Sequence, residues 1–207
     1  MRFRLAVLLL SASIVTAPVA RAQTHFKFVG AGSFTAFGYY VGPYSGTMGT
    51  GASAKTVTLN CVDFFHEVTW NQEWNANLSN IGTGAGIGTW SRSSNVTLYK
   101  EAAWLSQQYA GKTSSAVVGD IQATIWNLFG NASAKPSSNY WLLQAQANYA
   151  SQSYNNYVVV TDVDKNNPAS VQEFIIHTTP EPASMVLTGT GLAGLGLVAR
   201  RRKRNAA

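Results

Sequence analysis

The chain has 207 residues and a formal net charge of +6, but most of its basic residues lie at the two ends. Residues 23–179 contain seven Lys and Arg against eight Asp and Glu, so this part carries a net charge of about −1. That balance excludes a nucleic-acid-binding domain, which requires a basic face, and the single cysteine excludes an intrachain disulfide.

The first 22 residues have the pattern of a secretory signal peptide. Two arginines within the first four residues supply the positive start, an apolar stretch begins at Leu5, and Ala20-Arg21-Ala22 is a small-x-small cleavage site. An N-terminal membrane anchor is the alternative, which Pro18 and the polar residues of the stretch disfavour. We therefore expect an exported body at residues 23–179, large enough for one domain with a hydrophobic core.

The first part of the body has strand-like patterns. Apolar residues recur among polar residues and glycines between His25 and Tyr44, and residues 57–65 give the clearest strand signal. Because the side chains of a strand point alternately to its two faces, Cys61 and Asp63 share the apolar face of this strand. Residues 75–97 are rich in Gly, Ser and Asn, which predicts a long polar loop that is either mobile or functional.

Two helices are predicted after this loop. Apolar residues recur at helical spacing from Leu98 to Tyr109, and a glycine stops that helix. The second helix ends at Phe129, and its start is open. Either Thr113 or Ser114 caps a longer helix, or Asp120 caps a shorter one.

A third helix and two strands complete the body. One helical face carries Tyr140, Leu143, Ala147 and Ala150, and the strands cover residues 157–161 and 171–177. This order indicates an α+β fold, with β-sandwich-like strands at both ends of the domain and a three-helix insert between them.

The last 28 residues, 180–207, have three parts. Pro180-Glu181-Pro182 comes first, and residues 183–199 then form an uncharged run of 17 residues. Such a run is at the short end of what crosses a hydrocarbon core of roughly 30 Å, so we expect a transmembrane helix. The run is followed by the basic residues Arg200, Arg201, Arg202, Lys203 and Arg204. These cations would stay on the cytoplasmic side and leave the body outside.

This order of parts resembles the PEP-CTERM sorting signal of Gram-negative bacteria. The resemblance implies recognition by an exosortase, a membrane protease that cuts near the motif and passes the protein to the cell surface or the exopolysaccharide. The alternative is an ordinary C-terminal anchor in which Pro180 and Pro182 only stop the helix. The expected route is therefore export, anchoring in the membrane, and then the cell surface or extracellular matrix.

Cys61 and Gln122 are the candidate reactive residues of the body. Val118, Gln122 and Ile125 recur at helical spacing, so the glutamine lies on the apolar stripe of the second helix. A buried amide requires a partner. A thiolate that attacks the side-chain carbonyl of a glutamine, with loss of ammonia, leaves an internal thioester.

These residues resemble the thioester domains of bacterial surface adhesins, which carry a cysteine in a strand and a hydrophobic-Gln-x-x-hydrophobic-hydrophobic motif. The segment Ile121–Trp126 fits the glutamine motif at every position, whereas Asn60-Cys61-Val62-Asp63 lacks the aromatic or aliphatic residue that usually precedes the cysteine. The resemblance implies a covalent adhesin rather than an enzyme. An amine or carbohydrate hydroxyl of a target would attack the thioester, so that Gln122 becomes acylated to the target and Cys61 is released. If Asp120 caps the helix, free N–H groups of the first turn would stabilise the oxyanion.

Two other functions are compatible with these residues. In the first, Cys61 is a small buried hydrophobe, Gln122 bonds to a neighbouring backbone group, and the protein is a non-covalent, exopolysaccharide-associated matrix protein with no reactive centre. Here Trp70, Trp74, Trp90 and Tyr99 would be either a sugar-binding platform or packing residues. In the second, Cys61 is the nucleophile of a hydrolase, which the position of His66 on the opposite strand face disfavours.

One pattern between the last two strands has metal-ligand spacing. Positions 1, 3, 5 and 12 of a calcium-loop template are occupied by Asp162, Asp164, Asn166 and Glu173. Asn167 stands where the template requires glycine, and Asp and Asn also favour turns for their own sake. A turn is therefore predicted, with a calcium loop as the alternative, and no cofactor is expected.

Overall fold

A computed structural model describes residues 23–178 of the chain. In chain order the strands are β1 (Thr24–Gly30), β2 (Thr35–Ala36), β3 (Tyr39–Tyr40), β4 (Pro43–Met48), β5 (Lys55–Cys61), β6 (Glu73–Asn80), β7 (Tyr157–Asp162) and β8 (Phe174–His177). The helices between β6 and β7 are α1 (Val96–Gln107), α2 (Ser115–Leu128) and α3 (Tyr140–Asn148). Six of these strands close into a barrel in the order β1-β4-β5-β8-β7-β6, and β2 and β3 form a separate hairpin.

Aromatic rings fill the interior of the barrel. Phe26 stacks on Trp74 with ring centroids 5.6 Å apart, and the Trp74 ring lies 6.0 Å from that of Phe174. Because β6 and β8 are not neighbours in the barrel, the contact between Trp74 and Phe174 crosses the interior. Burial of a large apolar side chain stabilises a fold by about 1.5–3 kcal/mol, so these rings hold opposite walls of the barrel together.

Helix α2 is the central helix of the domain. All residues from Ile121 to Trp126 are buried, as expected for a helix that is covered on every side. Helices α1 and α3 contact α2 and each other, and the β2–β3 hairpin packs against another side of α2. The approach of the hairpin is close, because a Cβ built at Gly119 would lie only 2.6 Å from the Cβ of Ala36.

The structure confirms the α+β class and the position of the three helices between two groups of strands. The expectation of sandwich-like strands is wrong, because the strands close on themselves. Strand β6 pairs with β1 on one side and with β7 on the other, and β5 pairs with β8 through Cys61 and Phe174. One barrel therefore unites strands from both ends of the body.

Several local predictions are also wrong. Most of β6 lies within residues 75–97, which the sequence predicts as a loop, although Trp74 and Ala76 alternate with asparagines as buried residues. Strand β5 ends at Cys61, so Phe65 lies outside the strand and is exposed. In α3 the predicted apolar face is solvent-exposed at Tyr140 and Leu143.

Four predicted segments lie outside the described residues. They are the signal peptide (1–22), the sorting signal (180–207), and, within the latter, the transmembrane helix (183–199) and the basic stretch (200–204). Among residues 23–178, no helix combines the length and the apolar character needed to cross a bilayer.

Candidate functional site

Cys61 is the last residue of β5, and the structure buries its thiol between that strand and α2. The residue is 1% exposed. Its Sγ donates a hydrogen bond to the backbone carbonyl of Asp63 at 3.2 Å and accepts one from Nε1 of Trp126 at 3.4 Å. Burial raises the pKa of the Cys61 thiol to about 12, although the Trp126 hydrogen bond opposes this rise. The thiol is therefore protonated at neutral pH.

Gln122 lies directly against Cys61, and the structure brings the two candidate residues together as the sequence predicts. The side chain of Gln122 is fully buried, and its Nε2 donates to the backbone carbonyl of Cys61 at 2.9 Å. Its Oε1 accepts two hydrogen bonds, from the Tyr109 hydroxyl at 2.8 Å and from the Gly42 backbone N–H at 3.3 Å. The carbonyl of Gln122 is thus polarised by two donors, while its nitrogen lies against the cysteine.

The donors are not those expected from the sequence. Helix α2 begins at Ser115, so Gln122 is its eighth residue rather than part of its first turn. Asp120 is not a cap but lies within the helix, where it accepts a hydrogen bond from Ser137 N–H. The predicted role of helix-terminal N–H groups is therefore wrong, and Tyr109 and Gly42 occupy that role instead.

Gly42 is required where it stands for two reasons. Its φ of +95° lies in the left-handed region, which residues with a Cβ avoid. In addition, a Cβ at this position would lie 2.8 Å from Cγ1 of Val118 on α2. The sequence shows only a Gly-Pro turn signal here, so neither the contact with α2 nor the donation to Gln122 could be read from it.

Tyr109 follows α1 and supplies the second donor from a buried position. Burial raises the pKa of the Tyr109 hydroxyl well above its usual value of 10.0, and the nearby Tyr44 and Cys61 add to the rise. The hydroxyl therefore remains a neutral donor over the physiological pH range. Tyr109 belongs to the predicted apolar stripe of the first helix, but a helical stripe does not indicate where a phenol will point.

His66, the histidine considered for a hydrolase, pairs with Asp63 rather than with Cys61. Nδ1 of His66 lies 2.7 Å from Oδ2 of Asp63, and the same oxygen lies 2.8 Å from Nε of Arg92. The other carboxylate oxygen of Asp63 accepts the backbone N–H of Phe65 at 2.9 Å. The sulfur of Cys61 faces Trp126 and the Asp63 carbonyl rather than this ion-pair cluster.

The calcium-loop residues act as turn and core residues. The carboxylate of Asp162 accepts backbone N–H groups from Asp164 at 3.0 Å and from Val171 at 2.9 Å, as an aspartate in a turn does. Glu173 is buried inside the domain, where it accepts hydrogen bonds from Arg92 N–H and from the Tyr99 and Thr161 hydroxyls. No group of three or more His, Cys, Asp or Glu within residues 23–178 is placed to hold a metal ion.

The four aromatic residues proposed as a platform do not share a surface. Trp74 and Tyr99 are buried core residues, whereas Trp70 is exposed. Trp70 instead contacts Tyr40 of the β2–β3 hairpin, with ring centroids 6.3 Å apart. Trp70 and Tyr40 therefore form an exposed aromatic surface at the hairpin, which the sequence marks only as a glycine-rich strand region.

Comparison with known families identifies the tail. The chain matches the PEP-CTERM protein-sorting motif at residues 178–203, which confirms the sorting signal predicted around Pro180, Glu181 and Pro182. The protein is thus exported and sorted toward the cell surface by an exosortase. Comparison with curated proteins and with solved structures gives no match. The family match covers only the tail, so it assigns no function to the folded domain.

Proposed function

We propose that the domain is a covalent adhesin in which Cys61 and Gln122 form an internal thioester. The observation that carries this proposal is the pairing of the chain's one cysteine with a fully buried glutamine whose carbonyl accepts two hydrogen bonds. A glutamine needs no such arrangement to remain in a helix, because it favours the solvated face of a helix over the core.

The bond-forming step uses these contacts directly. Sγ of Cys61 attacks Cδ of Gln122, and the negative charge that develops on Oε1 is stabilised by the Tyr109 hydroxyl and the Gly42 N–H. The C–N bond then breaks, and the thiol proton leaves with the amide nitrogen as ammonia. Because the pKa of the thiol is raised to about 12, the proton has to leave in concert with the attack. Such a reaction suits a single maturation event better than turnover.

In target capture the Cys61 sulfur, which is the nucleophile when the thioester forms, becomes the leaving group. An amine or hydroxyl of the target attacks Cδ, the C–S bond breaks, and the proton of the nucleophile passes to the departing sulfur. The product is an amide or ester between Gln122 and the target, with a free Cys61 thiol. The Trp126 N–H, which already points at Sγ, would stabilise the sulfur as it leaves.

Peptide mapping of the natively purified full chain tests the proposal. Digestion with pepsin at low pH keeps nucleophiles protonated, so a thioester survives the procedure. We expect one cross-linked species that joins the Cys61 and Gln122 peptides, one ammonia lighter than their sum. Cys61→Ala and Gln122→Ala should each abolish it. Recovery of both peptides separately, with an alkylatable thiol, would contradict the proposal.

The second candidate is a matrix protein in which the same pair is only structural. It is favoured by the completeness of the hydrogen bonds of Gln122, since both polar atoms of its side chain have partners. In that case Cys61→Ala should leave every property of the protein unchanged except its stability. The peptide map separates the two candidates without knowledge of the target.

A further inference from the structure

A cleft lies beside Asp63 and Trp126, two residues that contact the Cys61 thiol. It has a volume of about 250 Å³ and opens between the β2–β3 hairpin and residues 63–70. Tyr39 and Tyr40 line it on the hairpin side, and Trp70 lines it on the other. Trp126 and Asp63, which both hydrogen-bond to the Cys61 sulfur, also line this cleft. A molecule in the cleft would therefore touch the residues that cover the thiol.

We propose that this cleft is a saccharide subsite, which binds one sugar ring of a polysaccharide against the Trp70 indole. The covalent part of the inference rests on the function proposed above, because a hydroxyl of the bound sugar would then be the nucleophile that the thioester captures. The non-covalent part stands without it.

Trp70 is held rigidly although it is exposed. It is 58% exposed and belongs to neither a helix nor a strand. Its ring contacts Phe28 at 5.7 Å, and a Cβ built at Gly30 would lie 2.9 Å from its Cζ3. The indole is therefore fixed against the backbone of β1 while much of it stays open to solvent. The C–H faces of pyranose rings pack on aromatic surfaces presented in this way.

Gln172 supplies the polar part of the cleft. It is 8% exposed and lines the cavity. An amide offers donors and an acceptor, and neighbouring hydroxyl groups of a sugar offer both in return.

The charges of the cleft favour a neutral ligand over an ammonium group. Two acids line it, Asp63 and Glu67. The Asp63 carboxylate is already engaged with Arg92 and His66, and Glu67 is exposed to solvent. A lysine side chain in the cleft would therefore lose its hydration without gaining a buried counter-ion.

The size of the cleft restricts the ligand further. Pockets for drug-sized ligands measure roughly 300–1,000 Å³, and this cleft, at about 250 Å³, is smaller. It accepts one ring rather than a long oligosaccharide. A polysaccharide would thus place a single residue in the cleft, with the rest of its chain in solvent.

The test uses the full chain with Cys61→Ala, which cannot form a covalent bond, so that any retention is non-covalent. The probe is the deproteinised extracellular polysaccharide of the producing bacterium, immobilised in an affinity gel. We expect this variant to be retained. Adding Trp70→Ala should weaken retention about tenfold. Tyr40→Ala and Gln172→Leu should each weaken it as well, which tests the cleft by routes that do not depend on Trp70.

Tyr140→Ala is the matched control, because Tyr140 is 56% exposed on α3 and does not line the cleft. It should bind as the parent does. Three results would each overturn the subsite. The first is that the Cys61→Ala chain is not retained, and the second is that Tyr140→Ala weakens retention as much as Trp70→Ala does. The third is that Nα-acetyl-lysine methyl ester, which carries a free ammonium group, displaces the protein while the free polysaccharide does not. The peptide map of the Cys61–Gln122 pair is independent of these outcomes, so failure of the subsite and failure of the thioester are distinguishable.

Discussion

Two of the buried polar clusters within residues 23–178 differ in what their hydrogen bonds accomplish. In the glutamate cluster, Arg92 N–H, Tyr99 and Thr161 all donate to the Glu173 carboxylate at 2.6–2.8 Å. In the Cys–Gln pair, Tyr109 and Gly42 donate to a carbonyl whose carbon lies beside a thiol-bearing residue. Both clusters satisfy buried groups, but only the second combines a potential nucleophile with a polarised electrophile. Hydrogen-bond satisfaction alone therefore does not separate structural from reactive clusters.

The largest effect is expected from breaking the glutamate cluster. Glu173→Ala leaves two buried hydroxyls and one part-buried backbone N–H without an acceptor, and an unpartnered buried group costs about 1–3 kcal/mol. We expect the free energy of unfolding to fall by about 3 kcal/mol or more in urea titrations. Formation of the thioester in molecules that remain folded should be unchanged. A loss below about 0.5 kcal/mol would show that the cluster is not structural.

The next effect concerns the Cys–Gln pair alone. Tyr109→Phe removes one of the two donors to Oε1 of Gln122 and keeps the ring. Loss of one oxyanion donor typically slows acyl transfer about 100-fold or more, so thioester formation after refolding should slow to that extent. The measurement is the time course of the cross-linked peptide. The control is Tyr154→Phe, whose hydroxyl donates to the Tyr149 carbonyl outside the pair; an equal delay in that variant would contradict the assignment.

Gly42→Ala tests the backbone donor and is expected to affect both stability and reactivity. The substitution forces a Cβ into a left-handed conformation and toward Val118, so we expect a cost of about 1–2 kcal/mol in the free energy of unfolding. The yield of thioester should fall as well, because Gly42 N–H moves away from Gln122. Gly111→Ala is the matched control, since φ is +71° there but the added Cβ meets nothing within 4 Å. It should cost stability without reducing the yield.

The contribution of the glutamate cluster to stability depends on pH. Burial raises the pKa of the Glu173 carboxyl above its usual 4.5. A raised pKa in the folded state means that the folded protein binds the proton more tightly. Its contribution to stability is therefore complete below pH 4.5 and is lost as the pH rises through the folded-state pKa. Compared with Glu173→Gln, the parent should gain stability on acidification; a relative gain on raising the pH would contradict this sign.

The smallest effect is expected on α3, where the sequence predicts an apolar face that the structure exposes. Leu143→Ala removes an exposed side chain and should change the free energy of unfolding by less than about 0.5 kcal/mol. Ala145 of the same helix is fully buried, so Ala145→Leu should overpack the helix interface and cost about 1–3 kcal/mol. Equal effects of the two substitutions would mean that α3 packs differently in solution.

The central pair was predictable because it depends on local patterns. Period-2 alternation places Cys61 on the inner face of its strand, and helical spacing places Gln122 on the buried stripe of α2. Each residue therefore points to the core for reasons that lie within a dozen residues of it. One tertiary inference is required in addition, namely that the buried faces of the strand and of the helix pack into the same hydrophobic core. A domain of this size has a single core, so this inference is safe.

The groups that surround the pair were not predictable, because they depend on contacts between distant segments. Gly42 and Gln122 are 80 positions apart, and only the packing of the β2–β3 hairpin on α2 makes one a donor to the other. The closure of the strands into a barrel could not be predicted from the sequence either. Its closing strand β6 is rich in asparagine, so its alternation of Trp74 and Ala76 carries a weak apolar signal.

The most direct measurement is the intact mass of the natively purified protein before and after treatment with methylamine. The proposed thioester predicts a mass one ammonia below that of the sequence, and a gain of one methylamine on treatment, with a free thiol that appears at the same time. Cys61→Ala should show neither change. A mass equal to that of the sequence, with no methylamine adduct in freshly prepared protein, would contradict the thioester and leave Cys61 and Gln122 as a structural pair.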